Sequence, residues 1–307
     1  LKWAIDFHYH YPEVAAKYGL KSKNSILLVG PPGNGKTCLA RCCAGYVRKL
    51  YPDHPCRFMH VAGSQDNSMW FSLSGQRVTE RFEAAREAAR DAKVLLFFDE
   101  IDAVAKQRGT DFGSGEPDRI LNTLLSELDG IRPLSNVVLL FATNRAESLD
   151  PALLRPGRVD EIIEIPRPRR SAAEAILRRY LQSGLPLTRG QSLGELVTPL
   201  LSKLYAPNGQ YADVACVKTS DGREWTIAGP ELLSGAMLEN VVQFAARQAA
   251  TRESQSGQAG LTAEDLHIAL EQQMRSAVSV LSTGNVKSYV RSIPQEAQPI
   301  SVTPAQR

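Results

Sequence analysis

The sequence predicts an α/β fold in which a parallel five-stranded sheet is covered by helices and is followed by a smaller helical domain. Through residues 1–167, short apolar runs alternate with helical stretches, which is the pattern of a parallel sheet between helices. The pattern changes after the Pro- and Arg-rich segment 166–170, beyond which helical stretches dominate. A chain of 307 residues is long enough for two folded domains, each with its own core. We therefore expect one domain over 1–167 and a second over 168–281.

The positions of the individual elements follow from the spacing of apolar residues. Short apolar runs predict strands at 25–29, 57–62, 94–98, 137–142 and 161–165. Helical spacing and composition predict helices at 36–50, 77–91, 118–128, 171–182, 192–205, 235–253 and 262–280. Two alternating runs within 212–228 flank Asp221-Gly222, which is a turn signal for a β-hairpin. Thr262 and Asp265 predict a capping box for the last helix, and the polar residues 282–307 predict a flexible C-terminal tail.

Charge and cysteine content narrow the class of protein. The formal net charge is +3, from 36 basic and 33 acidic residues, so there is no electrostatic reason to expect nucleic acid or an anionic membrane as the main partner. No apolar run approaches the roughly 20 residues that span a bilayer. The five cysteines lack metal-ligand spacing, which predicts reduced thiols in a cytoplasmic protein. Because the first residue is Leu rather than Met, we expect a fragment of a longer protein.

The sequence GPPGNGKT at 30–37 follows a predicted strand and opens a predicted helix. The glycines allow successive backbone N–H groups to turn towards a phosphate, and the helix N-terminus adds a positive dipole end. Lys36 is expected to reach the β- and γ-phosphates of ATP, and the Thr37 hydroxyl is expected to ligate Mg²⁺. A chance Gly-rich turn is the alternative, which the strand, loop and helix context disfavours. The residues expected to contact the nucleotide phosphates are Pro32, Gly33, Asn34, Gly35, Lys36, Thr37 and Cys38.

Two acids end the apolar run VLLFF, at Asp99 and Glu100. In an enzyme with a phosphate loop, Asp99 would hold Mg²⁺ directly or through water, and Glu100 would be the base for the attacking water. The alternative is that the pair only caps the helix beginning near Asp102. The spacing of about 60 residues from the phosphate loop, at the carboxyl end of a parallel strand, favours the catalytic interpretation.

Polar side chains after the next strands complete the predicted site. Asn144 ends the strand 137–142 and would orient the attacking water, although Asn is also a common turn residue. Arg155 and Arg158 flank a Pro-Gly turn that would expose both side chains on a rigid corner. Guanidinium groups stabilise charge on a transferring phosphoryl group, but surface arginines are more often only solvated. The functional interpretation of these three residues depends on the complete set of motifs.

These motifs, in this order and spacing, resemble the AAA subfamily of AAA+ ATPases, on GPPGNGKT, LLFFDEID, FATNR and DPALLRPGRVD. The resemblance implies a P-loop NTPase αβα sandwich followed by a helical lid domain that contains the hairpin. It implies Glu100 as catalytic base, Asn144 as sensor 1, and Arg155 and Arg158 as fingers acting on the ATP of the next subunit. It also implies that four lid residues contact the nucleotide: Ile176 and Tyr180 flanking the adenine, and Gly235 and Ala236 at the start of the sensor-2 helix.

Within that subfamily, the lid is similar to the bacterial proteasome-associated ATPases, the ARC/Mpa group. The shared features are YLQSGLPL, the hairpin around Asp221-Gly222 and the run LLSGAMLENVV. Between the second strand and its helix, Trp70 falls at the family's pore-loop aromatic position, flanked by Met69 and Phe71. The alternative is that these three residues pack as a local core. The polar segment 109–116 matches the second pore loop.

The leading functional hypothesis is an ATP-driven ring, a homo-hexamer, that pulls protein substrates through its central pore, with a proteasome-like protease as a possible partner. A second hypothesis is a remodelling or disassembly ATPase that is not coupled to degradation. A third is a nucleotide-dependent scaffold with negligible turnover, which the complete set of Lys36, Asp99, Glu100 and Asn144 disfavours. A membrane protease of the FtsH kind is disfavoured because the sequence has neither H-E-x-x-H nor a membrane span.

Overall fold

The chain divides into two compact units, each described separately below. A computed structural model describes residues 1–9, 11–18, 24–61, 75–105, 116–129, 136–182, 184–188, 190–290, 293–294 and 296–305. The first unit comprises Leu1–Gly30 and Gly35–Ile165, and the second comprises Pro31–Asn34 and Pro166–Arg307. None of the described helices is both long enough and apolar enough to span a membrane.

The first unit is built on a five-stranded sheet with the order β2-β3-β4-β1-β5, in which all neighbouring strands are parallel. The strands are β1 (Ser25–Val29), β2 (Cys56–Val61), β3 (Lys93–Phe98), β4 (Val137–Thr143) and β5 (Glu161–Glu164). The helices are α1 (Lys2–Tyr9), α2 (Pro12–Lys17), α3 (Lys36–Leu50), α4 (Gly75–Ala88) and α5 (Glu116–Leu128). The predicted α/β fold with a parallel five-stranded sheet is therefore confirmed.

Alternate residues of the central strands enter two separate cores, because successive side chains of a strand point to opposite faces. Leu27, Leu96 and Leu139 pack with the buried faces of α4 and α5. The other face, with Leu28 and Leu95, packs with α1 and α3. Since both faces are covered, β3 and β4 are buried almost end to end, and this explains why their sequences are continuously apolar.

Helix α1 had no counterpart among the sequence predictions. It is held by Tyr9, whose hydroxyl donates to the Val94 carbonyl oxygen at 2.8 Å. The Lys93 ammonium lies over the rings of Tyr9 and Tyr51, at 5.1 and 5.4 Å from their centroids. The contacts of Tyr9 join residues more than 80 positions apart, and a short helix anchored in this way carries little periodic signal.

The second unit is mainly helical and contains a three-stranded antiparallel sheet with the order β7-β6-β8. Its helices are α6 (Arg170–Leu181), α7 (Leu193–Leu204), α8 (Gly229–Leu232), α9 (Gly235–Ser256), α10 (Ala263–Ser279) and α11 (Val286–Tyr289). Its strands are β6 (Ala215–Thr219), β7 (Glu224–Ile227) and β8 (Pro299–Pro304). Strands β6 and β7 form the predicted hairpin, and Thr262 and Asp265 form the predicted capping box of α10.

The prediction of a flexible tail over 282–307 is wrong for the part of it that the structure describes. Strand β8 pairs antiparallel with β6, with Val302 opposite Val217. Val286, Val290 and Ile293 are buried in the core of the second unit. The polar composition was misleading because an antiparallel strand at a sheet edge needs few apolar side chains. Its backbone groups instead pair with the N–H and C=O groups of β6.

Candidate functional site

The predicted site residues of the first unit meet at the carboxyl edge of β1, β3 and β4. Strand β1 lies between β4 and β5, whereas the next strand along the chain, β2, lies at the far edge of the sheet. From β1 the chain crosses to β2 on one side of the sheet, whereas from β4 it crosses to β5 on the other side. Ligands of open α/β sheets bind at such a point, outside the carboxyl ends of the strands.

The backbone of the loop after β1 requires glycine at three positions. Gly33 and Gly35 have φ angles of 75° and 85°, in the left-handed region that other residues rarely adopt. At Gly30, an added Cβ would lie 2.3 Å from the Ile165 carbonyl oxygen. Gly35 is the N-cap of α3 and provides no side-chain cap. A helix start of this kind favours an anion.

Lys36 connects the loop to the end of β4. Its Nζ donates to the Gly30 carbonyl oxygen at 2.7 Å and to Asn144 Oδ1 at 2.6 Å. The side chain is buried, and burial lowers the pKa of its ammonium group, while the carboxylates of Asp99, Asp102 and Glu100 act in the opposite direction. The structure thus brings together Lys36 and Asn144, which the sequence separates by 108 residues.

Thr37 and Asp99 face each other across the same edge. The Thr37 hydroxyl donates to Asp99 Oδ2 at 2.6 Å. The neighbouring Glu100 has a φ of 52°, a left-handed conformation uncommon for a residue other than glycine, and its N–H donates to Asp99 Oδ1 at 3.0 Å. Backbone strain of this kind is concentrated at functional sites. Glu100 precedes a short 3₁₀ turn, Ile101–Ala103, rather than the α-helix expected near Asp102.

Two residues that the sequence analysis did not single out, His60 and Thr143, also make contacts at this edge. His60 stacks on the ring of Phe97 at 5.2 Å between centroids, and its Nε2 is 3.9 Å from Asp99 Oδ2. Burial lowers the pKa of His60, with Asp99 opposing that shift. The Thr143 hydroxyl donates to Asp102 Oδ1 at 2.8 Å, which ties the turn after β4 to the turn after β3. The sequence signal for His60 was its place near the end of β2, the strand beside the one that carries the acids, and this pattern is too common to be specific.

Arg155 and Arg158 lie close in sequence but differ in their contacts. Arg158 donates through Nε and Nη2 to both carboxylate oxygens of Asp129, at 2.7 and 2.6 Å, and through Nη1 to the Ala152 carbonyl oxygen. These hydrogen bonds lower the pKa of Asp129. Arg155 is exposed, and it makes no side-chain hydrogen bond with the described part of its own chain. Of the two predicted fingers, only Arg155 is therefore free to reach another molecule without first breaking an ion pair.

The second unit carries the remaining predicted contacts. Ile176 and Tyr180 lie one turn apart on α6, and the Tyr180 hydroxyl donates to Glu239 Oε2 at 3.1 Å. Gly235 and Ala236 open α9, and the Ala236 N–H donates to the Gly33 carbonyl oxygen at 3.0 Å. Gly33 belongs to this unit together with Pro32 and Asn34.

Asn34 has an unusual environment. Both its side-chain Oδ1 and Nδ2 are buried and have no hydrogen-bond partner among the described residues. Orphaned polar atoms of this kind are costly and are rare in native proteins. Asn34 lies within the loop after β1, and an unpaired amide at this position indicates a ligand-binding loop. Cys38, in the first turn of α3, is exposed.

The predicted pore-loop residues Met69, Trp70 and Phe71 lie outside the described residues, as do residues 109–115 of the second predicted loop. Their roles stay predictions from the resemblance.

Comparison with known proteins assigns both halves of the chain. Residues 26–167 match the model of the ATPase family associated with various cellular activities, and residues 168–303 match the ARC AAA+ ATPase lid domain. A protein of Corynebacterium efficiens named "AAA ATPase forming ring-shaped complexes" is 32% identical over 300 residues, which is 97% of this chain and 56% of that protein.

Proteins of the same name give similar values in other organisms. The Kocuria rhizophila protein is 32% identical over 94% of this chain and 53% of its own length, and the Bifidobacterium dentium protein is 35% identical over 80% and 46%. The chain spans about half the length of these relatives. With a family match over each half and the site geometry described above, the chain belongs to the AAA ATPase family and carries an AAA domain followed by an ARC-type lid domain.

Proposed function

We propose that this chain binds Mg·ATP at the carboxyl edge of its parallel sheet and hydrolyses it. The observation that carries the proposal is a pair of hydrogen bonds at this edge, which join Lys36 to Asn144 and Thr37 to Asp99 and so bring together the start of α3 and the ends of β3 and β4. They meet beside a loop whose glycines adopt left-handed conformations and which leads into the N-terminus of α3, where the helix dipole favours an anion. The family membership and the names of the relatives support the same activity.

The donor set fits a magnesium ion. Thr37 Oγ1 and Asp99 Oδ2 are adjacent hard oxygen atoms, and Mg²⁺ is usually held by one or two protein oxygens together with phosphate oxygens and waters. Thr37 and Asp99 would hold the ion, directly or through water. When bound, Mg²⁺ neutralises charge on the β- and γ-phosphates.

The chain's own residues then have distinct tasks. Lys36, held at the loop by the Gly30 carbonyl and by Asn144, would exchange one of these partners for phosphate oxygens. Glu100 would accept the proton of the attacking water from its fixed position after β3, and Asn144 would orient that water. Ile176, Tyr180, Gly235 and Ala236 would contact the nucleotide, as the resemblance implies.

We further propose a homo-oligomeric ring, most simply a hexamer, as the working form. The relatives are named for forming ring-shaped complexes. Arg155 is exposed and makes no side-chain hydrogen bond with the described residues of its own subunit, so it is suited to act on the ATP of a neighbour. Arg158 would contribute to the same corner.

The work done by this ring is proposed to be the unfolding and translocation of protein substrates through a central pore, with Trp70, Met69 and Phe71 as the gripping residues. A proteasome-like protease as the recipient and a cytoplasmic location complete the proposal. The match of residues 168–303 to the ARC AAA+ ATPase lid domain supports this proposal. A remodelling ATPase that is not coupled to degradation is the second candidate, because the same lid and motor would serve it.

The test compares two substitutions at the site. Glu100→Gln should keep ATP affinity and abolish phosphate release, because the water loses its base while Lys36 and Thr37 remain. Lys36→Ala should weaken ATP binding itself. Phosphate release and ATP affinity are measured on both variants and the wild-type chain. Near-normal turnover in Glu100→Gln would remove Glu100 from its proposed role, and a wild-type chain that binds no ATP would refute the proposal.

A further inference from the structure

Arg167, in the segment that opens the second unit, donates hydrogen bonds to three backbone carbonyl groups. Its Nη1 donates to the carbonyl oxygens of Leu232 and Leu233, at 2.9 and 3.0 Å. Its Nε and Nη2 both donate to the Tyr289 carbonyl oxygen at 3.2 Å, and the guanidinium carbon lies 5.6 Å from the centroid of the Tyr289 ring. The planar fork of Arg can serve three acceptors in this way, whereas Lys offers a single point of donation.

The acceptors lie at helix ends, where carbonyl groups lack partners within the helix. Leu232 is the last residue of α8 and Leu233 is its C-cap. Tyr289 is the last residue of α11. Arg167 therefore joins two helix ends that are more than 50 residues apart in the sequence.

Leu232 and Leu233, whose carbonyl oxygens accept from Arg167, lead directly into α9. Ser234 is the N-cap of α9, and its side chain accepts a hydrogen bond from the Met237 N–H at 3.2 Å. Two residues further on, the Ala236 N–H donates to the Gly33 carbonyl oxygen at 3.0 Å.

The packing at this contact is close. A Cβ added to Gly33 would lie 2.9 Å from Ser234 Oγ and 3.2 Å from Ala236 Cβ. Gly33 also holds a φ of 75°, which leaves its peptide orientation dependent on its surroundings. A displacement of 233–236 would therefore change the position of Gly33.

We infer that Arg167 is a positioning residue for the phosphate loop. By fixing Leu232 and Leu233, it fixes the first turn of α9 against Gly33, and so it sets the orientation of the backbone that would receive the nucleotide phosphates. Arg167 touches neither nucleotide nor magnesium in this scheme. The inference rests on the proposed ATP binding by the loop. It predicts an effect on nucleotide affinity rather than on the chemical step, because Lys36, Asp99 and Glu100 belong to the other compact unit.

The test uses Arg167→Ala and Arg167→Lys, with Arg170→Ala as the matched control. Arg170 is an exposed arginine three residues along the chain, and its Nη2 donates to Ser202 Oγ rather than to the segment before α9. The dissociation constant of ADP, the KM and kcat for ATP, and the melting temperature are measured on each. We expect Arg167→Ala to raise the ADP dissociation constant and the KM about tenfold, with kcat within about a factor of two. Arg167→Lys should fall between it and the wild type, and Arg170→Ala should match the wild type.

Two outcomes would overturn the inference while leaving the proposed function intact. In the first, the wild type binds and hydrolyses ATP, and Arg167→Ala has a reduced melting temperature. Its KM and ADP affinity, measured well below that temperature, equal those of the wild type. Arg167 would then be structural only. The second is a fall in kcat at unchanged KM. If Arg167→Ala does not fold, Arg167→Lys carries the same comparison. A wild-type chain that binds no nucleotide would overturn both the inference and the proposed function.

Discussion

The two arginines of the 153–158 corner should respond differently to substitution, and the difference tests the proposed sharing of the site between subunits. Arg155→Ala should leave the stability of the chain and its nucleotide affinity nearly unchanged and should greatly reduce ATP turnover. Arg158→Ala should lower stability, because it removes an ion pair and a hydrogen bond to a carbonyl within its own subunit.

The magnitudes follow from the contacts. Arg155 is exposed and makes no hydrogen bond with the described residues of its chain, so its removal should change stability by less than about 0.5 kcal/mol. Arg158 is 17% exposed but its partner Asp129 is 53% exposed, so solvent screens the pair. We expect a loss of about 1–2 kcal/mol, most of it from the bidentate geometry and the Ala152 carbonyl. That loss corresponds to a fall of roughly 2–6 °C in melting temperature.

The assay measures melting temperature, ADP affinity, oligomer size and steady-state ATP turnover on both variants, with Asp129→Asn as the matched control for the ion pair. An arginine finger contributes about 10³- to 10⁵-fold to turnover in related phosphoryl-transfer enzymes, so the loss in Arg155→Ala should be far outside error. Asp129→Asn should lower stability by less than Arg158→Ala, because the hydrogen bond from Arg158 to the Ala152 carbonyl oxygen remains. An Arg155→Ala variant that assembles normally and turns over ATP at the wild-type rate would refute the reasoning, as would a wild-type monomer with full activity.

Two further predictions concern the lid and the pore. Asp265 is buried, which raises its pKa, but hydrogen bonds from Arg252 and Thr262 outweigh burial and the net shift is downward. The stabilising contribution of Asp265 is therefore present above the unfolded pKa of about 3.9, and it is lost as pH falls through the lower folded pKa. Acid unfolding of the wild type should therefore steepen below about pH 4, whereas Asp265→Asn should start less stable and show a flatter dependence. Trp70→Ala should abolish ATP-dependent unfolding of a tagged protein while melting temperature, ATPase activity and assembly survive; a melting temperature lowered by a loss of roughly 3–5 kcal/mol would instead show Trp70 to be core.

The first unit could be predicted well because its signals are local. Each central strand is a continuous apolar run, and each functional group lies at the end of such a run, so strand order along the chain was enough to place Lys36, Asp99 and Asn144 at one edge. The observed β4, Val137–Thr143, differs from its predicted range by one residue at its end. Boundaries of this kind depend on single hydrogen bonds, which the apolar pattern does not encode.

The contacts that could not be predicted join distant segments through polar groups. The pairing of Arg158 with Asp129 spans 29 residues, and that of Arg167 with Tyr289 spans 122. Arginine is common on surfaces, so neither position carries a pattern that distinguishes a partnered guanidinium from a solvated one. The sequence therefore indicated two equivalent fingers at Arg155 and Arg158, while the ion pair makes them unequal.

The described residues of 282–305, which composition alone predicted to be a flexible tail, also make contacts between distant segments. Strand β8 provides backbone partners for one side of β6, and the other side of β6 is already occupied by β7. Val286, Val290 and Ile293 are buried in the core of the second unit, and the Tyr289 carbonyl oxygen accepts two hydrogen bonds from Arg167. Without α11 and β8, Arg167 would lose its hydrogen bonds to Tyr289, the edge of β6 would lose its partner strand, and the first turn of α9 would lose part of its support. Helix α11 and strand β8 are thus part of the folded lid, and through Arg167 the end of α11 is connected to the residues that contact Gly33 in the phosphate loop.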